Sequence, residues 1–329
     1  MVWRNSELQN NNRLKFLDLF AGIGGVKIGF ENNGFEAVFS NDIDINCKKT
    51  FDSNFSNICQ YETNLFLKDI ASVTSDLLPE FNLLTASFSC KPSSIARYRK
   101  GNIDKGKGDL FFEIIRILRD RKPNGFFLEN VKTLKTHDLG RTLRIIYSEL
   151  ENLGYLVKDA VLNTMEYGNL PQNRERIYIV GFLSKTAFDA FSFPNRIKLE
   201  KSIHDCISKK KVNDKYYYNG KPIFKELAQE VTKSDIIYQW RTKYVKANQS
   251  NVCPTLTASM GTNGRNVPII LDDYGIRKLT PRECANFQGF PKDFLLPQIA
   301  TSQLYKQIGS SVSIPVVSRI ARQMKKAME

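Results

Sequence analysis

Hydrophobic and polar positions follow two different spacings over the first 190 residues or so. Short apolar runs predict buried strands, whereas apolar residues spaced three and four apart, as in 109–120 and 142–154, predict amphipathic helices. The strand-like runs occupy residues 15–20, 36–42, 81–88, 124–130 and 176–182. Strands that alternate with helices are typical of an α/β fold with a doubly wound, mostly parallel sheet. In such sheets, ligands bind beyond the carboxyl ends of the strands.

The pattern changes after about residue 190. Residues 197–277 lose the strand–helix alternation and are rich in basic and aromatic side chains, which predicts a second domain of short strands and loops. The last stretch, 300–329, is helical again and is expected to complete the first domain, which otherwise spans 1–196. Residues 278–299 would connect the two, and Arg282 there is expected to brace them.

Composition and charge indicate which kinds of partner and site the protein is expected to have. The 329 residues carry a net charge of +14, which favours a polyanion such as nucleic acid. No stretch is long and apolar enough to span a membrane, and the N-terminus lacks a signal-peptide pattern, so a cytoplasmic protein is expected. Six cysteines without a CxxC pair and only two histidines make a metal site or a disulfide framework unexpected.

A glycine cluster, "DLFAGIGG" at 18–25, follows one strand and precedes a helix. Glycines there allow a ligand to approach the backbone closely. A dinucleotide fingerprint would need a third glycine where the chain has Lys27. Asp42 ends the next strand, where a carboxylate can accept hydrogen bonds from a ribose. The pattern indicates a nucleoside cofactor without a pyrophosphate.

A second set of candidates joins a thiol, a carboxyl group and two guanidinium groups. Cys90 follows the strand at 81–88, Glu129 ends the strand at 124–130, and Arg174 and Arg176 precede or begin another strand. A thiolate that adds to C6 of cytosine makes C5 nucleophilic, and a carboxyl group at N3 and the amine stabilises the adduct. Each signal alone has a structural explanation, but their order and spacing favour methyl transfer from a sulfonium to cytosine C5.

The sequence resembles the cytosine-C5 DNA methyltransferases, close to the compact bacterial enzymes of restriction–modification systems. The motifs that carry the resemblance appear in the family order: "DLFAGIGG", "SNDID", "SFSCKPSS", "FFLENV", "PQNRERIYIVGF", "RKLTPRECANFQGFP" and "YKQIGSSV". The implied fold is a Rossmann-like, S-adenosylmethionine-dependent methyltransferase sheet with a smaller, mostly β or irregular target recognition domain. The implied function is DNA (cytosine-5-)-methyltransferase in a bacterium or phage.

The resemblance also implies roles for particular residues. Cys90 would be the nucleophile, Glu129 would contact the flipped cytosine, and Arg176, with Arg174 nearby, would support them. The expected S-adenosyl-L-methionine site comprises Phe20, Gly22, Ile23, Gly24, Gly25, Asp42, Ile43, Asp69, Ile70 and Ser310. The loop after Cys90 is basic and glycine-containing, which suits closure over DNA.

Duplex DNA is the expected partner, and base flipping is required to reach the cytosine. The candidate DNA-binding residues are Ser94, Arg97, Arg99, Lys100, Lys107, Arg241, Thr255, Thr257 and Arg265. Arg265 would read guanine or contact phosphate, and 238–244 would be a backbone-contact strand. A monomer is expected, with any cognate restriction endonuclease a genetic partner and not a physical one.

Four positions depart from the family pattern. Ser89 and Lys91 replace the usual Pro and Gln around the nucleophile, Ser310 replaces Asn, and Ile43 replaces an aromatic residue. Lys91 is expected to lower the pKa of Cys90, and Ser310 to alter cofactor tolerance. Two alternatives stay open at this point: an RNA (tRNA-type) cytosine-5 methyltransferase and a catalytically weakened DNA-binding homologue.

Overall fold

The computed structural model describes residues 13–55, 67–88, 110–241, 244–261 and 266–329. Within these ranges no helix is long and apolar enough to cross a membrane. The strands are β1 (Lys15–Leu19), β2 (Glu36–Asn41), β3 (Leu83–Ser87), β4 (Gly125–Val131), β5 (Leu156–Asn163), β6 (Gln172–Asn173), β7 (Glu175–Phe182), β8 (Tyr238–Arg241), β9 (Tyr244–Ala247), β10 (Cys253–Pro254), β11 (Ile269–Asp272) and β12 (Gly275–Lys278). The helices are α1 (Gly25–Glu31), α2 (Ile45–Phe55), α3 (Leu110–Arg121), α4 (Arg141–Asn152), α5 (Thr164–Tyr167), α6 (Lys185–Ala190), α7 (Phe224–Glu230), α8 (Pro281–Gln288), α9 (Thr301–Ser310) and α10 (Ile314–Met328).

The central sheet has six strands in the order β2–β1–β3–β4–β7–β5. The first four are mutually parallel, so their carboxyl ends meet at one edge, whereas β7 runs antiparallel to both neighbours. The mainly parallel α/β sheet predicted from the sequence is therefore confirmed. The strand β5 was not predicted, because its partly exposed residues and its charged Lys158 and Asp159 interrupt the apolar run that marks a buried strand.

Two helical layers cover the central sheet. On one face, α3 and α4 pack against alternate strand residues such as Leu84, Phe126 and Leu128. On the other face, α1 and α10 pack against Phe16 and Phe127. The alternation of Phe126 and Phe127 between the two faces follows from the two-residue period of a strand.

The second sheet has four antiparallel strands in the order β12–β11–β8–β9. The helix α7 covers one of its faces through Leu227, which packs with Tyr238 and Ile269. The sheet lies within or next to 197–277, but the domain boundaries drawn from the sequence stay a prediction. A single hydrophobic cluster includes residues from both regions, for example Phe51 and Ile270.

The connecting segment is held to the second sheet by an arginine that the sequence did not single out. Arg277 of β12 is fully buried and donates to both carboxylate oxygens of Glu283 on α8, at 2.9 and 2.8 Å, and also pairs with Asp272. A buried cation needs such partners, since desolvation alone would destabilise it. Arg282, the brace expected from the sequence, instead donates to the carbonyl oxygens of Pro291 and Phe294.

A glycine lies where α9 meets the loop after β10. A β-carbon at Gly309 would lie 2.1 Å from the Thr257 carbonyl oxygen and 2.9 Å from the Ala258 nitrogen. Real β-carbons do not approach backbone that closely, so any larger residue would force the loop or the helix to move. This contact fixes the loop that carries Thr255 and Thr257 against the end of α9.

We predict that Gly309→Ala lowers the free energy of unfolding by roughly 1–3 kcal/mol, because the added methyl group overpacks a backbone contact. Urea unfolding followed by circular dichroism measures this change. Ser310→Ala, at the exposed neighbouring position, is the matched control and should change stability by less than about 0.5 kcal/mol. Equal stabilities for Gly309→Ala and the wild type would contradict the contact.

Candidate active site

Glu129 lies near the carboxyl end of β4 and is almost fully buried, with 5% of its surface exposed. Ser87 is its register partner at the end of β3, and the Ser87 hydroxyl donates to Glu129 Oε2 at 2.6 Å. On the other side, Arg176 of β7 places Nε 3.1 Å from Glu129 Oε1 in an ion pair. A buried carboxylate needs a donor or a cation on each oxygen, and these two side chains supply them. The pairing of Glu129 and Arg176 that the sequence indicated is present in the structure.

Asn130, the next residue, ties the ends of the same two strands together. Its Nδ2 donates to the Phe88 carbonyl oxygen at 3.0 Å, and its Oδ1 accepts from the Val131 nitrogen at 2.8 Å. Asn130 is itself 4% exposed, so both bonds are shielded from water. Cys90 is only two residues farther along the chain than Phe88.

Several predicted residues lie outside the described ranges, and their roles stay predictions. They are Cys90, its neighbours Ser89 and Lys91, and the DNA-binding candidates Ser94, Arg97, Arg99, Lys100, Lys107 and Arg265.

Arg174 has a different set of partners from the one expected. Its side chain is buried, and its guanidinium donates to the Leu256 carbonyl oxygen at 2.7 Å and to that of Ser311 at 2.5 Å. Burial, and then the charge of Arg176, lower the pKa of Arg174, while the charge of Glu129 opposes them. These contacts brace the start of β7 against the loop at 256 and the end of α9. They favour a structural role for Arg174.

The cofactor candidates gather at the carboxyl ends of β1 and β2. Asp42 Oδ2 accepts from the Gly22 nitrogen at 2.9 Å, and Asp42 Oδ1 accepts from the Asp44 nitrogen at 2.8 Å. Burial raises the pKa of Asp42, although these backbone hydrogen bonds lower it. Gly22 has a positive φ of 56°, and no atom lies within 4 Å of where its β-carbon would be. A carboxylate with remaining lone pairs beside open space over a glycine fits a ribose-bearing ligand.

The other cofactor candidates surround this turn to different degrees. Ile43 is 68% exposed next to Asp42, so an apolar surface is available for an aromatic base. Asp69 accepts from the Ala71 nitrogen, whereas Ile70 is buried in the sheet core. Phe20 is half-buried with a positive φ, Ile23 and Gly24–Gly25 are buried where α1 begins, and Ser310 is exposed at the end of α9.

A buried acid and a buried lysine lie beneath the glycine cluster. Asp18 is fully buried, accepts from the Thr85 hydroxyl at 2.8 Å, and has no hydrogen-bond partner for Oδ2 among the described residues. Burial raises the pKa of Asp18 to about 7, against the lowering effects of Thr85 and Lys27. Lys27, at the position of the missing third glycine, is itself buried and pairs with Glu31. Lys27 therefore leaves no glycine there that a pyrophosphate could approach.

A polar cleft of about 420 Å³ lies between the second sheet and the start of β7. It is lined by three of the predicted DNA-binding residues, Arg241, Thr255 and Thr257, together with Asn173. The Thr255 hydroxyl donates to the Asn173 carbonyl oxygen at 2.7 Å, so the cleft and the segment that carries Arg176 are joined.

Sequence reasoning missed Ser87 and Asn130. Ser87 was detectable in principle, because equal extension of two parallel strands places it opposite Glu129. Asn130 carried no signal that distinguishes a tie between strands from an ordinary buried amide.

The mainly parallel sheet, with Asp42 and Glu129 at the carboxyl ends of its strands, is that of a Rossmann-like α/β fold. Residues 14–326 match the family model described as C-5 cytosine-specific DNA methylase, and the chain belongs to this family. It is therefore a DNA (cytosine-5-)-methyltransferase that uses S-adenosyl-L-methionine, of the restriction–modification type.

Two curated relatives and one solved structure illustrate the similarity. The chain is 48% identical over 319 residues to Type II methyltransferase M.Bsp6I of Bacillus sp. (strain RFL6). This alignment covers 96% of this chain and 99% of the relative. It is 35% identical to Type II methyltransferase M.HpaII of Haemophilus parainfluenzae, over 95% of this chain and 89% of the relative. The structure of the Entamoeba histolytica methyltransferase EhMeth matches with a TM-score of 0.70 at 20% identity, covering 97% of this chain and 99% of that one, and shows the same fold.

We predict that Ser87→Ala lowers kcat for DNA methylation by roughly 10-fold, because the Glu129 carboxyl group loses a charge-assisted hydrogen bond that orients it. The KM for DNA should stay within about twofold, since Ser87 acts through Glu129. Steady-state incorporation of labelled methyl groups measures both constants. Ser87→Thr, which keeps the hydroxyl group, should restore most of kcat; failure of that rescue would contradict the positioning role.

We predict that Asp18→Asn becomes progressively more stable than the wild type as the pH rises from about 4 to 7. The raised pKa of Asp18 means that the folded state holds a proton which the unfolded state releases at lower pH, so the wild type loses stability as the pH rises towards 7. The slope is at most about 1.4 kcal/mol per pH unit for one proton.

Urea unfolding of both proteins at pH 5 and pH 7.5 tests this linkage. Asp273→Asn, at an exposed position, controls for the change of net charge. A stability difference between Asp18→Asn and the wild type that does not depend on pH would show that Asp18 titrates normally.

Proposed function

We propose that this enzyme methylates cytosine through attack of the Cys90 thiolate on C6, with Glu129 as the group that engages the base. The observation that supports this assignment is the buried Glu129 carboxyl group, held by Ser87 and Arg176 at the end of the strand beside β3. Cys90 follows β3 by three residues in the sequence. Nucleophile and carboxyl group would thus approach one cytosine from adjacent strand ends.

The partners of Glu129 assign it one orientation. Ser87 donates to Oε2, and Arg176 lies beside Oε1 in an ion pair, so the two partners favour one orientation of the carboxyl group. In the proposed reaction, Glu129 hydrogen-bonds N3 and the exocyclic amine while the thiolate adds to C6, which makes C5 nucleophilic. After methyl transfer, a general base such as water would take the C5 proton, and the C5–H electron pair would re-form the C5–C6 double bond as the C6–S bond breaks and the Cys90 thiolate leaves. A preoriented carboxyl group avoids reorganisation during these steps.

The cofactor residues of this chain would bind and orient the methyl donor. S-adenosyl-L-methionine supplies an electrophilic methyl group when bound. Asp42 would accept hydrogen bonds from the ribose, Ile43 would cover the purine, and the open space at Gly22 would admit the ligand to the backbone. Phe20, Asp69 and Ser310 would complete this site.

Duplex DNA would contact the basic loop after Cys90 and the cleft lined by Arg241, Thr255 and Thr257. Because the target carbon is inaccessible in a stacked duplex, the cytosine must be extruded. We propose that the enzyme acts as a monomer in the cytoplasm, and that a cognate endonuclease, where one exists, does not form a complex with it.

We predict that a duplex carrying 5-fluorocytosine at the target traps a covalent adduct with the wild type and none with Cys90→Ser. Fluorine at C5 blocks the elimination step, so the adduct accumulates. Bisulfite sequencing of a plasmid treated with enzyme and S-adenosylmethionine first identifies the target, and denaturing electrophoresis of the fluorinated duplex then detects the adduct.

Cys206→Ala, which alters a buried cysteine, is the control and should still form the adduct. An adduct that survives Cys90→Ser would refute Cys90 as the nucleophile. Trapping by a fluorinated tRNA but not by a duplex would transfer the activity to RNA, and the absence of any methylation would identify a silent homologue.

A further inference from the structure

The strands β8 and β9 form one side of the four-stranded second sheet and have two unlike faces. Tyr238, Trp240 and Val245 pack into the hydrophobic cluster of the second sheet. Gln239 lies opposite Lys246, and Arg241 opposite Tyr244, so these four side chains share the other face. Side chains on this polar face could reach base edges in the major groove of B-DNA, which is about 12 Å wide.

On the polar face, Gln239 holds Arg241. The Arg241 Nη2 donates to Gln239 Oε1 at 3.1 Å, and Gln239 is only 9% exposed. A buried amide that accepts from one end of the guanidinium reduces its rotational freedom. Arg241 itself is exposed, in the wall of the polar cleft.

The charges around the cleft suit the edges of DNA bases. Among the described lining residues there is no carboxylate, the cations are Arg241 and Lys246, and amides such as Asn248 account for much of the rest. A guanidinium in a fixed orientation can donate to O6 and N7 of guanine at the same time. A contact with a phosphate group does not require such a fixed orientation.

The cleft is connected to the chemistry through one short segment. Asn173 lines the cleft and pairs with Thr255, and Arg176, three residues later, pairs with Glu129. A base pair read in the cleft would therefore lie at a fixed offset from the extruded cytosine.

We propose that Arg241, oriented by Gln239, reads one guanine of the recognition site from the major groove. This inference rests on the proposed function, since it requires duplex DNA in the cleft. It changes the expectation from the sequence that 238–244 contacts only the DNA backbone.

Substitution of guanine atoms tests the proposal. Bisulfite sequencing first identifies the site. Each guanine of the site is then replaced in turn by 7-deazaguanine, which removes the N7 acceptor at one position at a time. For one guanine, the wild type should lose about 10- to 100-fold in kcat/KM, and Arg241→Ala should show no further loss at that same position. Gln239→Ala should show a smaller loss of discrimination at that guanine only.

The controls separate base readout from general electrostatics. Lys326→Ala removes an exposed cation on α10, outside the cleft, and should retain full sensitivity to 7-deazaguanine. Arg241→Ala that weakens methylation of every duplex equally, with a shallower salt dependence, would assign a phosphate contact and overturn the proposal. If Arg241→Ala instead keeps its sensitivity to every 7-deazaguanine and loses sensitivity to a 7-deazaadenine, Arg241 contacts an adenine, which would overturn the proposal as well. Normal methylation of unmodified DNA by the wild type would, in either case, leave the proposed function unaffected.

Discussion

The structure of the site depends on one constraint, which is that the Glu129 carboxyl group is buried and must be paired. The carboxyl group is shielded from water, so its interactions with the Ser87 hydroxyl group and the Arg176 guanidinium must offset the free-energy penalty of its desolvation. Each partner comes from a neighbouring strand: β3 is parallel to β4, and β7 is antiparallel to it. The register of these three strands therefore determines which side chains lie beside the carboxyl group. A shift of one residue in either pairing would remove one of its partners.

Much of the catalytic core could be predicted from the sequence because its signals are local. The strands β1, β3 and β4 are mostly buried, since parallel strands are covered on both faces, and their largely apolar runs mark them in the sequence. Asp42 directly follows β2, and Glu129 lies near the end of β4. The edge strand β5 was missed because most of its residues are only partly buried and charged residues interrupt the apolar pattern. Local sequence also could not show that Arg174 reaches carbonyl groups of Leu256 and Ser311, because those partners are 82 and 137 residues away.

The two neighbouring arginines show how alike residues in one motif acquire different functions. Arg176 pairs with an acid, whereas Arg174 donates to main-chain carbonyl oxygens of the loop after β10 and of the end of α9. The close approach of Gly309 to Thr257 fixes the same loop from the other side. The motif "PQNRER" thus supplies the ion-pair partner of Glu129 and a structural brace two residues apart.

This arrangement has a consequence for how recognition and chemistry are related. If the duplex binds in the cleft as proposed, the contact between Thr255 and Asn173 and the ion pair of Arg176 would make the distance from a read base to the reacting base a property of the fold and not of a flexible linker. A misread base pair would then shift the duplex relative to Glu129, and an error of about 1 Å is enough to lower the rate substantially. Specificity would consequently appear in kcat as well as in affinity, since the same segment positions both the DNA and the carboxyl group that acts on it.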